Sequence, residues 1–209
     1  MRVLVACEFS GVVREAFRRR GHDAWSCDLL RSETENQKYH YRGDVTTILK
    51  GMYTWSREKG RELHPWDLMI AHPPCTYLAS SGLHWNKRVP GRQEETEKAL
   101  DFVRTLLAAP IRRICVENPV GCISTQIRKP DQYIQPWEFG HDASKKTGLW
   151  LKNLPLLTPT NIIRKGRYSN QTPTGQNNLG PSPDRWKQRS VTYEGIAEAF
   201  AEQWGNLDG

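Results

Sequence analysis

The chain has 209 residues, of which 37% are hydrophobic and 25% charged, and a formal net charge of +7; that length supports one well-buried core and is marginal for two. Its apolar runs fall short of the ~20 residues that cross a bilayer, and the opening Met1-Arg-Val-Leu-Val-Ala6 lacks a secretory layout, so neither a membrane nor a secreted protein is expected. Five cysteines without a CxxC pair favour reduced thiols in a cytoplasm over a disulfide framework, and no metal is expected.

Residues 2–6 read as a buried first strand. A turn at Ser10-Gly11 leads into a helix over 12–20, where Val13 and Phe17 face the sheet and Gly21 ends the run. Residues 22–28 form a second strand that ends on Asp28, and Gly43-Asp44-Val45 follows a third short element. The polar stretch 52–65 is expected as a helix or surface loop. Residues 67–71 give the central strand, 94–109 an amphipathic helix and 113–117 the next strand. A further strand is expected within 149–157. The Pro-, Gly-, Asn- and Thr-rich stretch 158–183 has little core potential, and 190–204 closes the chain as a helix with Ile196, Ala199, Phe200 and Trp204 on one face. This alternation predicts an α/β domain, a mostly parallel sheet with helices on both faces.

The positive charge is localised. Residues 141–190 hold nine Lys/Arg against two Asp/Glu, and the other 159 residues balance at 21 of each. That stretch also carries Trp150, Tyr168 and Trp186. Basic residues interleaved with aromatics suit a phosphate-backbone surface, so nucleic acid is the expected partner, with Arg164, Lys165 and Arg167 as candidate contacts.

Two regions carry chemistry. A strand, a glycine turn, a helix and an acid at the end of the next strand form a layout for an adenosyl group, with backbone approaching the ligand and the acid taking ribose hydroxyls. Phe9, Ser10, Gly11 and Asp28 are the candidates. The full GxGxxG is absent, which counts against NAD or FAD, and there is no GxxxxGK[ST] for a phosphate cradle. Further on, the apolar run before His72-Pro73-Pro74-Cys75 and the segment Ile114-Cys-Val-Glu-Asn-Pro119 each deliver a reactive group from a strand end. A thiol and a carboxyl so placed suit covalent attack on an aromatic heterocycle.

Taken in order, Glu8-Phe9-Ser10-Gly11, Asp28, Gly43-Asp44-Val45, Pro73-Pro74-Cys75 and Glu117-Asn118-Pro119 resemble the motifs of S-adenosylmethionine-dependent DNA cytosine-C5 methyltransferases, in a compact, phage-like form. The resemblance implies a Rossmann-like class I methyltransferase fold. It implies Cys75 as the nucleophile, of lowered pKa, and Glu117 as the acid at cytosine N3. It implies S-adenosylmethionine as cofactor, held by Phe9, Ser10, Gly11, Asp28, Asp44 and Pro73. Pro74, Ser81 and Asn118 are implied at the substrate, with 76–93 as a mobile catalytic loop carrying Ser80, Lys87, Arg88 and Arg92. Lys145 or Lys146 stands in for the arginine motif, although lysine cannot reproduce a bidentate fork. Ser190-Val191-Thr192 and its helix resemble the last motif without the Gly-Asn lead-in. His72 stands where amino-methylating enzymes carry Asp or Asn before Pro-Pro, which argues against N4 or N6 methylation. A short basic insertion at 158–189 replaces the separate target-recognition domain, so low or very short specificity on DNA, most simply duplex, is expected from a monomer of a bacterial or phage-infected cytoplasm. RNA or free nucleotide as substrate, and a binding relative without turnover, remain alternatives, as does transfer of a group other than methyl.

Overall fold

A computed structural model describes residues 1–50 and 66–207; the helix or loop expected at 52–65 lies outside the described residues. Strand β1 (Arg2–Ala6) explains the layering. Val3 and Val5 pack to one face with Val13, Phe17, Phe200 and Trp204, while Leu4 and Ala6 pack to the other with Met69, Leu100 and Val103. All four of its apolar side chains are 0% exposed. A parallel strand covered on both faces needs such an unbroken apolar run, since neither side meets water.

The elements follow as α1 (Val12–Arg19), β2 (Asp23–Asp28), β3 (His40–Arg42), β4 (Leu68–Ala71), α2 (Ser80–Leu83), α3 (Arg92–Leu107), β5 (Arg113–Pro119), α4 (Ile123–Gln126), β6 (Gln132–Ile134), β7 (Thr147–Lys152), α5 (Arg185–Ser190) and α6 (Glu194–Gly205). Seven strands form one sheet in the order β3-β2-β1-β4-β5-β7-β6. β3, β2, β1, β4 and β5 run parallel, and β7 enters antiparallel between β5 and β6. β4 is thus central, as expected. Helices α1 and α6 pack together on one face and α3 covers the other through Leu100, Val103 and Leu106. Burying each large apolar side chain contributes roughly 1.5–3 kcal/mol, and Trp150 and Trp204 also satisfy their indole N–H groups on the carbonyls of Arg128 and Pro155, at 2.7 and 3.1 Å.

Four boundaries depart from the sequence reading. The strand expected within 149–157 runs 147–152 and ends where Asn153 turns left-handed at φ 53°. Leu157 remains buried because its N–H and C=O pair with the Gln132 side chain at 2.7 Å each. β5 continues two residues past 117, since Asn118 and Pro119 pair with Gly148 and Thr147. The closing helix starts at Glu194, with a separate α5 before it. Residues 76–93 are largely turn and short helix before α3, which starts at Arg92.

The stretch 158–184 is irregular and mostly exposed, and it leans on residues 135–144. Tyr168 stacks on Trp137 at 6.2 Å, Lys165 pairs with Asp142 at 2.5 Å and Asn170 bonds both backbone groups of Ser144. No described helix is long and apolar enough to cross a membrane.

Candidate active site

The carboxyl ends of β1, β2, β3, β4 and β5 lie at one edge of the sheet, and β7, running the other way, brings its first residue to the same edge. In an open α/β sheet this edge is where ligands bind. The residues singled out at Phe9–Gly11, Asp44 and Pro73–Cys75 follow those strand ends, Asp28 and Glu117–Asn118 lie in the last residues of β2 and β5, and Lys145 precedes β7.

On the β1 side the chain leaves the sheet through Cys7, whose φ of 59° is left-handed for a residue with a side chain. Glu8 is buried and its two oxygens accept the N–H groups of Val13 and Arg14 at 2.6 and 3.2 Å, capping the start of α1. Burial pushes its carboxyl up against the nearby His72 charge and these N–H bonds. Gly11 has φ 75°, and a Cβ there would meet Thr34 Cγ2 at 2.6 Å, so the turn requires glycine. Phe9 is buried beneath Trp186 of α5, ring centres 6.2 Å apart, and the Ser10 hydroxyl accepts the Val12 N–H at 3.4 Å. Behind the turn, the fully buried Arg14 donates to Ser26 Oγ at 2.8 Å and to Thr34 Oγ1, and Ser26 bonds His40 Nδ1 at 2.8 Å. This network fixes the segment that follows Asp28.

Asp28 ends β2 with Oδ1 accepting the Leu30 N–H at 2.9 Å, and burial pushes its carboxyl up. Its carbonyl accepts the Gly43 N–H at 2.8 Å, which ties the Asp44 loop beside it. Asp44 is exposed, and its Oδ1 accepts the Thr46 N–H at 2.8 Å. Around these acids burial pushes the Cys27 thiol up to about 12, with Asp28 adding to the rise, and moves Cys7 upward for the same reasons. They are inert thiols. A left-handed glycine turn after β1 and a half-buried acid at the end of the neighbouring β2 are chemically compatible with an adenosyl group.

On the β4 side the His72 N–H bonds the Ala6 carbonyl at 2.9 Å, prolonging the sheet by one residue. Pro73 is buried, and its carbonyl accepts Asn118 Nδ2 at 2.7 Å; Pro74 is exposed. Asn118 is itself buried; its amide nitrogen supports the Pro73 carbonyl before Cys75, and its Oδ1 has no partner among the described residues. Cys75 opens a turn whose carbonyl accepts the N–H groups of Leu78 and Ala79 at 3.0 and 2.9 Å. The turn is laced to the loop after β5: Ala79 bridges Gly121, and Ser80 N–H bonds the Val120 carbonyl at 3.0 Å.

Glu117 accepts a hydrogen bond from His72 Nδ1 at 2.9 Å, with the two side chains only 14% and 8% exposed. Burial raises the Glu117 carboxyl, but the His72 bond and the Lys145 charge outweigh it and hold the group below its ordinary value. The Cys75 thiol behaves opposite to expectation. Burial pushes it up and Glu117 adds to the rise, while Lys145 and Arg189 pull it down without reversing it. A thiol of lowered pKa is therefore corrected to a raised one in the ligand-free protein.

Lys145 and Lys146 separate in function. Lys145 acts electrostatically on both Cys75 and Glu117 and donates to the Arg189 carbonyl at 2.9 Å. Lys146 lies over the Tyr133 ring of β6 at 4.4 Å, away from that pair. Ser81 sits exposed in α2. Arg164 and Arg167 are exposed on the irregular stretch, where Lys165 is neutralised by Asp142. Four residues carry more weight than the sequence reading gave them: Glu8, quoted only within the first motif; His72, used only against amino methylation; Trp186, named only among the aromatics of the basic stretch; and Arg189, given no role. His72 had a visible signal, a titratable side chain between an apolar run and Pro-Pro. The α5 residues had none, because only the fold lays α5 on the Phe9 turn, where Lys187 also sits 5.5 Å from the ring and pairs with Glu33 at 2.5 Å.

No family model matches the chain, and no curated protein does. Solved structures do match. One, the crystal structure of a candidate DNA modification methyltransferase encoded within an E. coli prophage, aligns with a TM-score of 0.50 at 14% identity. The alignment covers 78% of this chain and 52% of that one, so this chain spans about half its length. The chain has a class I methyltransferase fold. That likeness, together with the sheet order and the antiparallel β7, accounts for where the candidate residues meet.

Proposed function

We propose that this chain transfers a methyl group from S-adenosylmethionine to C5 of cytosine in DNA, through a bond between Cys75 and C6, with short sequence specificity. The observation that carries the reading is the meeting of the Cys75 thiol and the Glu117 carboxylate at one sheet edge, with Lys145 acting on both. The similar prophage-encoded protein, described as acting in DNA modification, supports a DNA substrate.

Cytosine C5 is a poor nucleophile while the ring is aromatic. The Cys75 sulfur donates an electron pair to C6, the S–C6 bond forms, and the C5=C6 electrons become available at C5. N3 gains a proton through Glu117 as the thiol loses one, so the charge of the site is unchanged. When bound, the cofactor supplies an electrophilic methyl group on a sulfonium. After transfer, the C5 proton leaves to water, the S–C6 electron pair returns to sulfur as the C5=C6 bond re-forms, and the N3 proton passes through Glu117 back to Cys75. Gly11 and Asp28 would hold the adenosyl group, and Phe9 with Trp186 would shield it from water. A cytosine within a duplex must leave the stack to reach Cys75. Because the thiol is raised in the free protein, Lys145 and Arg189 matter most once DNA is bound. Lys145 and Arg189 must stay in place as the base enters, since the water it expels raises the thiol further and these cations oppose that rise.

Nucleoside mass spectrometry of duplex DNA incubated with the protein and S-adenosylmethionine is the direct test. The expected result is 5-methylcytosine from the native chain and none from Cys75→Ala, with cofactor binding retained. A modified base that persists in Cys75→Ala would overturn the covalent route.

A further inference from the structure

We propose that His72 is a positioning residue for the transfer set out above, its Nδ1–H holding one Glu117 oxygen so that the carboxyl group meets the base in a single orientation. The inference rests on that reading of the site, but its structural half stands alone. A carboxylate has only acceptor sites, so the 2.9 Å contact requires the proton on Nδ1. The imidazole is walled in, with 8% of the side chain exposed, and its backbone is fixed by the bond to the Ala6 carbonyl and by Pro73 after it. The other ring nitrogen, Nε2, is buried and has no hydrogen-bond partner among the described residues. A buried polar atom left in that state calls for a function or a ligand.

Among the described residues, two carboxylates interact with this imidazole. Glu8 approaches from the end of β1, Glu117 from β5, and Lys145 reaches Glu117 from the segment before β7. Thr147 adds a hydroxyl bond to Glu117. His72 thus sits between two buried carboxylates, one capping the helix of the cofactor side and one serving the base. Without it, Glu117 would keep only the Thr147 bond and the Lys145 charge against burial, so its carboxyl would turn more freely and take up a proton sooner.

Two substitutions separate donation from space filling. The amide nitrogen of His72→Asn stands where Nδ1 stands, whereas His72→Leu fills the volume with no donor. A hydrogen bond to a charged acceptor is worth enough that its loss costs about 10- to 100-fold in kcat, with KM for DNA within about threefold. We expect that loss in His72→Leu and its recovery to within about fivefold in His72→Asn. Equal loss in both variants, or loss in neither, overturns the proposal. A second readout needs no turnover: the 15N spectrum of labelled histidine in the native chain, with His72 assigned through His72→Asn. A proton on Nδ1 supports the pair. A bare Nδ1 overturns it, whatever the enzyme does to DNA. If the native chain makes no 5-methylcytosine while Nδ1 carries the proton, the methyl-transfer reading fails and the His72–Glu117 pair stands.

Discussion

Cys75 sits between two opposing charges, and that sets a sharp expectation at the scale of single residues. Lys145 favours the thiolate and Glu117 disfavours it, on top of a burial cost that both share. Lys145→Met removes a cation, so the thiol should titrate at still higher pH and alkylate more slowly at pH 8. Glu117→Gln removes an anion, so the thiol should titrate lower and alkylate faster, even though turnover is lost. Iodoacetamide labelling of Cys75 against pH, followed by peptide mass spectrometry, reads both. The other four thiols provide an internal background, since burial pushes each of them up. Shifts in the same direction for the two variants would show that the thiol does not sense the pair. The placement of Cys75 and Glu117 at one edge of the sheet was legible in the sequence because each follows an apolar run. The sign of the thiol shift was not, because it depends on how deeply the Cys75 turn is buried against the loop after β5.

Elements position these residues through a few close contacts. A Cβ at Gly121 would lie 1.9 Å from the Leu78 carbonyl oxygen and 2.9 Å from Ala79 Cα, inside the lacing that holds the Cys75 turn to β5. Gly121→Ala should therefore cost roughly 1–3 kcal/mol, the usual scale for overpacking, and depress turnover further by moving Cys75. Urea unfolding with a parallel methylation assay checks both, and an unchanged midpoint would refute the close approach. The segment after Asp28 hangs on His40, which bonds the Leu30 carbonyl at 2.9 Å through Nε2 and Ser26 through Nδ1. Burial lowers its pKa, the Arg14 charge adds to this, and the Leu30 carbonyl opposes it. The folded chain thus binds this proton less readily than the unfolded one, whose histidines titrate near ~6.5. The stability that neutral His40 contributes is complete above that value and is lost as pH falls through the folded one. Thermal unfolding from pH 7.5 to 5 should show the decline, and His40→Gln should flatten it. β1, α1, β2, β4 and α3 were readable in outline because local periodicity sets them. β6 was not, because three residues, Gln132–Ile134, carry no period of their own and become a strand only by pairing with β7. The antiparallel sense of β7 is likewise a property of its neighbours, and its end at Lys152 is set by the backbone of Asn153.

Across the whole molecule the charge excess of residues 141–190 does not form one continuous surface. Lys152 donates to the Ala109 carbonyl at 3.1 Å, at the opposite edge of the sheet from Cys75. Lys187 is engaged by Glu33 over the Phe9 turn, and Lys165 by Asp142. Arg164 and Arg167 differ: they are exposed on a stretch anchored to 137–144, the residues that lead into Lys145 and the start of β7, at the sheet edge that carries Cys75 and Glu117. Composition alone places all nine cations together, and the fold divides them. Each phosphate contact contributes about 0.9 to the salt slope of duplex binding. Replacing Arg164 and Arg167 by Ala should weaken binding and reduce that slope by up to about 2. Lys165→Ala should do less, since its charge is already met by Asp142, and Lys152→Ala should leave the slope unchanged. Fluorescence anisotropy of a labelled duplex between low and physiological salt measures all three. If Lys152→Ala flattened the slope as much as the arginine pair, DNA would be binding across the far edge, and the catalytic edge would lose its claim to the backbone.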